Sequence, residues 1–277
     1  MLQQRPMRVI DFYDHHPISE RQVLDAVRRT RGAGSVAADD LFAFDQDHYG
    51  GLAAVDILAQ RAGIVAGSRV LDICAGLGGP ARFLASRRRC RVIGVELNPG
   101  RALGMARLTR LVRLADRVAV VRADAIALPF AGARFDACVS QEALLHIVDK
   151  PAVLAEARRV LALGGRLAFT DWIAHPGLGD GERRRLEDWM AAVTIQTLDG
   201  YRALLGRAGF RSVECEDISD EWRPIVRERV RVYRAMRAEL APRLGEPRYA
   251  EYEQLYGFFV DLVERGKLGG GRFSGSS

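Results

Sequence analysis

Three carboxylates stand at the ends of three successive apolar runs: Asp72 in VLDICAGLGGPARFL, Glu96 in VIGVELNP and Asp124 in VVRADAIALPF. Gly76, Gly78 and Gly79 follow the first of them, and Pro80 follows the glycines. Glycine lets a backbone turn sharply and pass close to a ligand, and proline fits the first helical turn, where no N–H is needed. A strand, a glycine loop and a helix in that order deliver a ligand to the carboxyl end of a parallel sheet.

The acids decide between two ligand chemistries. A dinucleotide needs its pyrophosphate on the helix N-terminus, and Gly76-x-Gly78-x-x-Ala81 matches the permissive form of that fingerprint. S-adenosylmethionine carries no phosphate; its methionine end bears an ammonium, a carboxylate and a sulfonium. Asp72, just before the Cys74-Ala75-Gly76 loop, suits an ammonium and repels a diphosphate, so charge favours the sulfonium cofactor. Glu96, with Leu97 beside it, lies ~20 residues after the glycines, where a carboxylate accepts from ribose hydroxyls in either cofactor. Asp124 is placed to accept from an adenine amino group, with Ala125 offering a backbone N–H; the alternative is an ordinary loop carboxylate.

Those residues need a sheet to hold them. Strand-like runs cover 69–73, 91–96, 118–121, 135–139, 166–170 and 212–215. Helical runs at 81–88, 99–112, 143–147, 152–161 and 198–207 separate them, and the alternation predicts an α/β fold with a parallel sheet between helices. Before the sheet, Ser19 and Gln22 form a capping box with Ile18 and Val23 as its hydrophobic staple, starting a helix that should stop near Gly32. A further helix covers 52–62. The segment 1–50 reads as an N-terminal helical lid or a plain packing arm. Beyond Cys215, Val226, Val230, Tyr233 and Leu240 share one helix face, with Pro224 at its start; Tyr252, Tyr256, Phe259 and Val263 share another, with Gly266 as C-cap. These helices form an insertion before a last short strand, so that 51–222 is the core and 223–277 the cap and terminal strand. Ser274 to Ser277 are expected to fray.

Composition excludes several classes. The 277 residues are 48% hydrophobic and 27% charged, an ordinary globular balance. No apolar run reaches the ~20 residues of a membrane span, and the first residues lack the apolar stretch of a secretory signal, so a cytoplasmic protein is expected. Net charge is +6, carried almost wholly by arginine, since Lys150 and Lys267 are the only lysines. Arg87-Arg88-Arg89 ends a helical run without interleaved aromatics, so no nucleic-acid partner is read from it. Cys74, Cys90, Cys138 and Cys215 show no metal or disulfide spacing, and the adjacent His15 and His16 lack companion ligands, so no metal is expected. Nothing in the sequence assigns an oligomeric state.

LDICAGLG resembles the first motif of the class I S-adenosylmethionine-dependent methyltransferases, with Cys74 where the family usually has glycine. The segment VSQEALLHIVDKPAVLAEARRVLALGGRLAFTDW resembles the phosphoethanolamine and the sarcosine/dimethylglycine N-methyltransferases, and the likeness runs from about Tyr49 to Trp222. It implies a Rossmann-like, mostly parallel seven-stranded sheet and methyl transfer from S-adenosyl-L-methionine to a small-molecule acceptor, an amine nitrogen first. It also implies roles. Gln141 and Glu142 would lie at the mouth of the cofactor pocket, and Tyr49 would approach the cofactor's methionine end. His146 matches a histidine that acts at the active site, while Asp171 and Trp172 would face the acceptor. Trp189 and Tyr256 would complete an apolar or aromatic acceptor side; Trp172 stands where phosphoethanolamine enzymes carry a tyrosine, which argues against a phosphorylated acceptor.

Methyl transfer from a sulfonium chiefly requires alignment of nucleophile, methyl and sulfur, exclusion of water, and removal of an acceptor proton. A histidine suits the last task near neutral pH. His146 is the candidate base, with a buried structural histidine as the alternative; Glu142 would orient it from i, i+4 on one helical face or pair with an acceptor cation. Other readings remain: O- or C-methylation of an apolar metabolite, a nicotinamide-dependent oxidoreductase, or a binding module without catalysis.

Overall fold

The computed structural model describes residues 4–16, 18–32 and 34–277. Four helices precede the sheet: α1 (Gln4–Asp14), α2 (Glu20–Arg31), the short α3 (Ala38–Leu41) and α4 (Gly51–Arg61). Ser19 caps the start of α2, its Oγ accepting from the Gln22 N–H, and Gly32 ends the helix at φ +72; of the expected capping box only this half forms.

The alternating region gives β1 (Arg69–Ile73), α5 (Gly79–Arg87), β2 (Arg91–Glu96), α6 (Pro99–Leu111), β3 (Val118–Arg122) and β4 (Phe135–Gln141). It continues through α7 (Lys150–Val160), β5 (Leu161–Ala174), α8 (Asp180–Met190), α9 (Leu198–Arg207) and β6 (Arg211–Asp217). Three helices follow, α10 (Ser219–Ala235), α11 (Arg237–Leu244) and α12 (Glu246–Glu264), and then β7 (Leu268–Ser276). The run at 143–147 is no α-helix but a single 3-10 turn, Leu144–His146. The expected helix through Val226 and Leu240 begins earlier, at Ser219, and breaks at Met236, so Pro224 lies inside α10.

The seven strands are ordered β3-β2-β1-β4-β5-β7-β6. β3, β2, β1, β4 and β5 pair in parallel, as the alternation requires. The sheet is nonetheless mixed, because β7 runs antiparallel between β5 and β6. That placement overturns the expected fraying of the serine end: Ser274 is 1% exposed, Ser276 pairs with both Arg166 and Arg211, and Ser277 Oγ donates to the Ala162 carbonyl at 2.7 Å. A strand with ladders on both sides has little freedom to unzip. The glycine tract within it serves packing, since a Cβ at Gly270 would enter the Trp222 indole.

Alternate residues of each strand feed opposite faces. Leu71, Ile73, Cys138 and Phe169 pack under α7 and α9, while Val70, Val92, Val139 and Ala168 pack under α4 and α5. Each buried valine, leucine, isoleucine or phenylalanine among them contributes ~1.5–3 kcal/mol, so both layers fix the strands that carry the site. A third cluster, around Trp172, Trp222 and Phe259, holds α10 and α12 onto the sheet.

The chain moves one way from β1 to β2 and β3 and the other way from β4 to β5, so the topological switch lies between β1 and β4. Loops that leave opposite faces of the sheet part there and open a crevice.

Candidate functional site

A cavity of about 380 Å³ occupies that crevice, within the size range of small-ligand sites. Its wall gathers Asp72, Cys74, Ala75, Gly76, Glu96, Leu97, Asp124, Ala125, Gln141, Glu142 and His146, taken from four separate stretches of sequence. Tyr49, Gly78, Asp171, Trp172, Trp189 and Tyr256 lie outside it.

The glycine loop is shaped by both its backbone and its neighbours. Cys74 adopts φ +60, a left-handed conformation that favours glycine, which accounts for the glycine usual there. Gly78 has φ +77, and a Cβ on it would stand 2.5 Å from Met105 Cγ. Its role is thus to let α6 press on the loop. Gly76 faces the cavity, and its N–H donates to Glu96 Oε2 at 2.8 Å. Glu96 Oε1 accepts from the Asn98 N–H at 2.8 Å, so one carboxylate braces the loop and the start of α6 together.

Asp72 is the electrostatic centre of this wall. It is 3% exposed, and its Oδ2 has no hydrogen-bond partner. Burial pushes its pKa up to about 7, the Glu96 carboxylate adds to the rise, and Arg82 opposes it. A buried carboxylate oxygen without a partner is costly and calls for a cationic ligand group. Asp124, half-buried, has an Oδ1 that accepts from the Ile126 N–H at 3.2 Å, a local turn that holds the carboxylate on the rim.

The acceptor end is built differently from the sequence expectation. Glu142 sits at φ +50, so the chain turns away before the 3-10 turn and no helical face joins Glu142 to His146. Glu142 Oε1 instead accepts from the Tyr49 N–H at 2.9 Å, and burial pushes its pKa up to about 8. His146 Nδ1 lies 2.9 Å from the Ala191 carbonyl oxygen. A carbonyl only accepts, so Nδ1 carries the proton, and Nε2 accepts from the Tyr13 hydroxyl at 2.9 Å. Burial lowers the His146 pKa to about 4, which leaves the ring neutral. Gln141 Nε2 reaches His48 Nδ1 at 3.0 Å, and burial likewise lowers the His48 pKa to about 4.

Sequence reasoning missed Tyr13, Asp47, His48, Asn98 and Arg101. α1 covers the cavity with Val9, Ile10 and Tyr13, and Asn98 Nδ2 ties it down by donating to Asp14 Oδ1 at 2.8 Å and to the Ile10 carbonyl at 3.2 Å. Arg101 Nη2 pairs with Asp47 at 2.7 Å, and the guanidinium stands 4.5 Å from the centre of the Tyr13 ring. No periodicity marks the loop residues. Asn98 alone had a signal, as the residue before Pro99 at a helix start.

The remaining candidates occupy other places. Tyr49 stacks on Phe259 at 5.7 Å, and Trp172 meets the same ring at 4.6 Å. Asp171 accepts from the Tyr201 hydroxyl, and burial raises its pKa to about 6. Trp189 packs edge-on against Phe258, and Tyr256 lies beside Tyr233 in the cap. Among the described residues no cluster of His, Cys, Asp or Glu is arranged to hold a metal ion, and no helix is long and apolar enough to cross a membrane.

The strand order with its switch-point crevice, lined by acids, defines a Rossmann-like fold. Comparison with known proteins makes this specific. The methyltransferase domain family matches residues 71–169. Methyltransferase GfsG of Streptomyces halstedii is 32% identical over 212 residues, which is 76% of this chain and 75% of that one. The 27-O-demethylrifamycin SV methyltransferase of Amycolatopsis mediterranei is 33% identical over 218 residues, 77% of this chain and 79% of that one. In structure, phosphoethanolamine N-methyltransferase 2 of Haemonchus contortus, solved with phosphomonomethylethanolamine and S-adenosylhomocysteine, superposes with a TM-score of 0.78 at 20% identity, over 91% of this chain and 59% of that one. The chain belongs to the S-adenosylmethionine-dependent methyltransferases. It is an enzyme of that family, and S-adenosyl-L-methionine is its methyl donor.

Proposed function

We propose that this methyltransferase acts on a small molecule at a hydroxyl oxygen whose proton passes through Tyr13 to His146. The observation that carries the reading is the 2.9 Å hydrogen bond from the Tyr13 hydroxyl to His146 Nε2, with both residues on the cavity wall. When bound, S-adenosylmethionine supplies an electrophilic methyl group on a sulfonium. The residues do the rest. Asp72 takes the ammonium, which satisfies its unpartnered Oδ2. Arg101, the only cationic side chain among the described residues lining the cavity, takes the carboxylate. Glu96 faces the ribose and Asp124 the adenine.

An alcohol is a poor nucleophile until its proton is withdrawn, so a neutral base in place matters most for that acceptor. Nε2 of His146 has a free electron pair, and Tyr13 relays the proton to it. α1, carrying Tyr13 and fastened by Asn98, is a lid that keeps water from the transfer.

An amine acceptor is the second reading. The phosphoethanolamine N-methyltransferase likeness favours it, and so does the resemblance of 139–172 to N-methyltransferases. An aromatic cage for a methylammonium would support it further, but the rings of Trp172, Trp189 and Tyr256 pack into the helical cap. The deciding experiment incubates the enzyme with trideuteromethyl-labelled cofactor and a panel of alcohols, phenols and amines, read by mass spectrometry. Label on oxygen, lost in His146→Ala, is expected; transfer to amines alone with His146→Ala fully active would refute the hydroxyl reading.

A further inference from the structure

Lys150 opens α7, is 1% exposed, and has no place in the reaction described above. Its Nζ donates to the carbonyls of Leu144 at 2.6 Å, Ile147 at 3.2 Å and Thr194 at 2.9 Å, and also meets Thr194 Oγ1. Two facts make the placement costly. A cation on the first turn of a helix opposes the helix dipole. A buried ammonium also forfeits its hydration, and no carboxylate among the described residues stands at ion-pair distance to repay it. Burial accordingly lowers the Lys150 pKa to about 8, with Asp171 opposing from a distance; the Tyr201 ring stands 6.0 Å from the ammonium.

The acceptors show what the cost secures. Leu144 and Ile147 bracket the 3-10 turn that carries His146. Thr194 belongs to the segment whose Ala191 carbonyl receives the His146 Nδ1 proton, and that segment is bound to the same turn by the Thr194 N–H to the Leu145 carbonyl at 3.0 Å and by Thr194 Oγ1 to the Ile147 carbonyl at 2.7 Å. The turn that carries the imidazole and the segment that holds its Nδ1 thus both present carbonyls to one ammonium.

We propose that Lys150 is a positioning residue for His146: it clamps the turn and the 191–194 segment together and, by its charge, keeps the imidazole unprotonated. The second half rests on the ammonium lying against the Leu144 and Ile147 carbonyls, which flank His146 in the turn. Around His146 stand Tyr13 from α1, His16 just beyond the end of that helix, Asp47 from the loop before α4, Glu142 at the head of the turn, and Lys150 from α7. Burial does most to disfavour the imidazolium and Lys150 and His16 add to that, while the Ala191 carbonyl and, less, Asp47 oppose. The catalytic consequence rests on the proposed role of His146 as proton acceptor; the effect on the ring does not.

The test is therefore run on the ring itself. Histidine ring resonances of the folded enzyme are titrated by NMR in wild type, Lys150→Gln and Lys150→Met, with kcat and cofactor Kd measured alongside. Gln keeps two donors and removes the charge, so the His146 midpoint should rise by ~1 unit. Met removes the clamp as well, and kcat should fall ~100-fold at unchanged cofactor Kd, the penalty of a misplaced catalytic group. Thr194→Val loosens the clamp without touching the charge, so it should lower kcat without raising the midpoint. If Met does not fold, Gln and Val decide alone. A wild-type midpoint in Lys150→Gln, or wild-type kcat in Thr194→Val, overturns the proposal. A shifted midpoint together with a fully active His146→Ala would instead uphold the effect of Lys150 and refute the role given to His146.

Discussion

Replacing Asp72 by Asn should stabilise the cofactor-free enzyme and weaken its hold on the cofactor, and the two effects can be separated by pH. The carboxylate pKa rises from 3.8 to about 7 on folding. A raised carboxylate pKa means that the folded state prefers the proton, so the group costs stability as pH climbs from the unfolded value to the folded one. At about 1.36 kcal/mol per unit, the cost grows from almost nothing near pH 4 to ~4 kcal/mol above pH 7. Asn carries no charge and escapes that slope, though its buried amide forfeits part of the gain, leaving ~1–3 kcal/mol at pH 8. Thermal unfolding of the apoenzyme should then show Asp72→Asn melting above wild type at pH 8, with the difference closing towards pH 4. Calorimetric titration with S-adenosylmethionine at pH 8 should show the opposite sign. Loss of a charged hydrogen bond worth ~1.5–3 kcal/mol weakens binding ~10- to ~150-fold. Wild type should also release a proton on binding near pH 6.5, seen as a dependence of the heat on buffer ionisation. A variant that melts lower than wild type at pH 8 and binds the cofactor equally well would refute the claim that Asp72 is held unpartnered for an ammonium.

Tyr13→Phe removes the hydroxyl that donates to His146, and kcat should fall ~10²- to ~10⁴-fold with cofactor Kd nearly unchanged; a kcat within a few-fold of wild type would exclude the relay. Because burial lowers the His146 pKa to about 4, kcat at saturating cofactor should hold level as pH drops below 6.5 and decline only near 4, which a stopped-assay pH series would check. Gly78→Ala places a Cβ 2.5 Å from Met105 Cγ at φ +77. That combines strain with overpacking, so a loss of ~2 kcal/mol or more is expected in denaturant unfolding, well before any effect on chemistry is considered.

Much of the cofactor side was legible in the chain. β1, β2 and α9 fall where periodicity and turn residues put them, because each is a short element whose pattern and punctuation agree. Asp72, Glu96 and Asp124 reach one cavity because a parallel sheet collects the ends of its strands at one edge. The acceptor side was less legible. Glu142 and His146 are four residues apart and read as one helical face, yet the left-handed turn at Glu142 sends them to different partners, Tyr49 and Tyr13. Trp172 and Trp189 looked like an acceptor surface, whereas their rings found partners in α12, a helix 80 residues or so further along the chain.

What the sequence alone determined is therefore the order of strands and helices, the glycine loop that opens the crevice and the sign of charge around it. These are local matters of pattern, backbone freedom and ionisation. Only tertiary structure decided that β7 inserts between β5 and β6, that α1 brings Tyr13 to His146 across 133 residues, and that Lys150 is buried against the turn that carries His146. Such contacts arise from packing between distant segments, and no residue's neighbours in sequence carry a record of them.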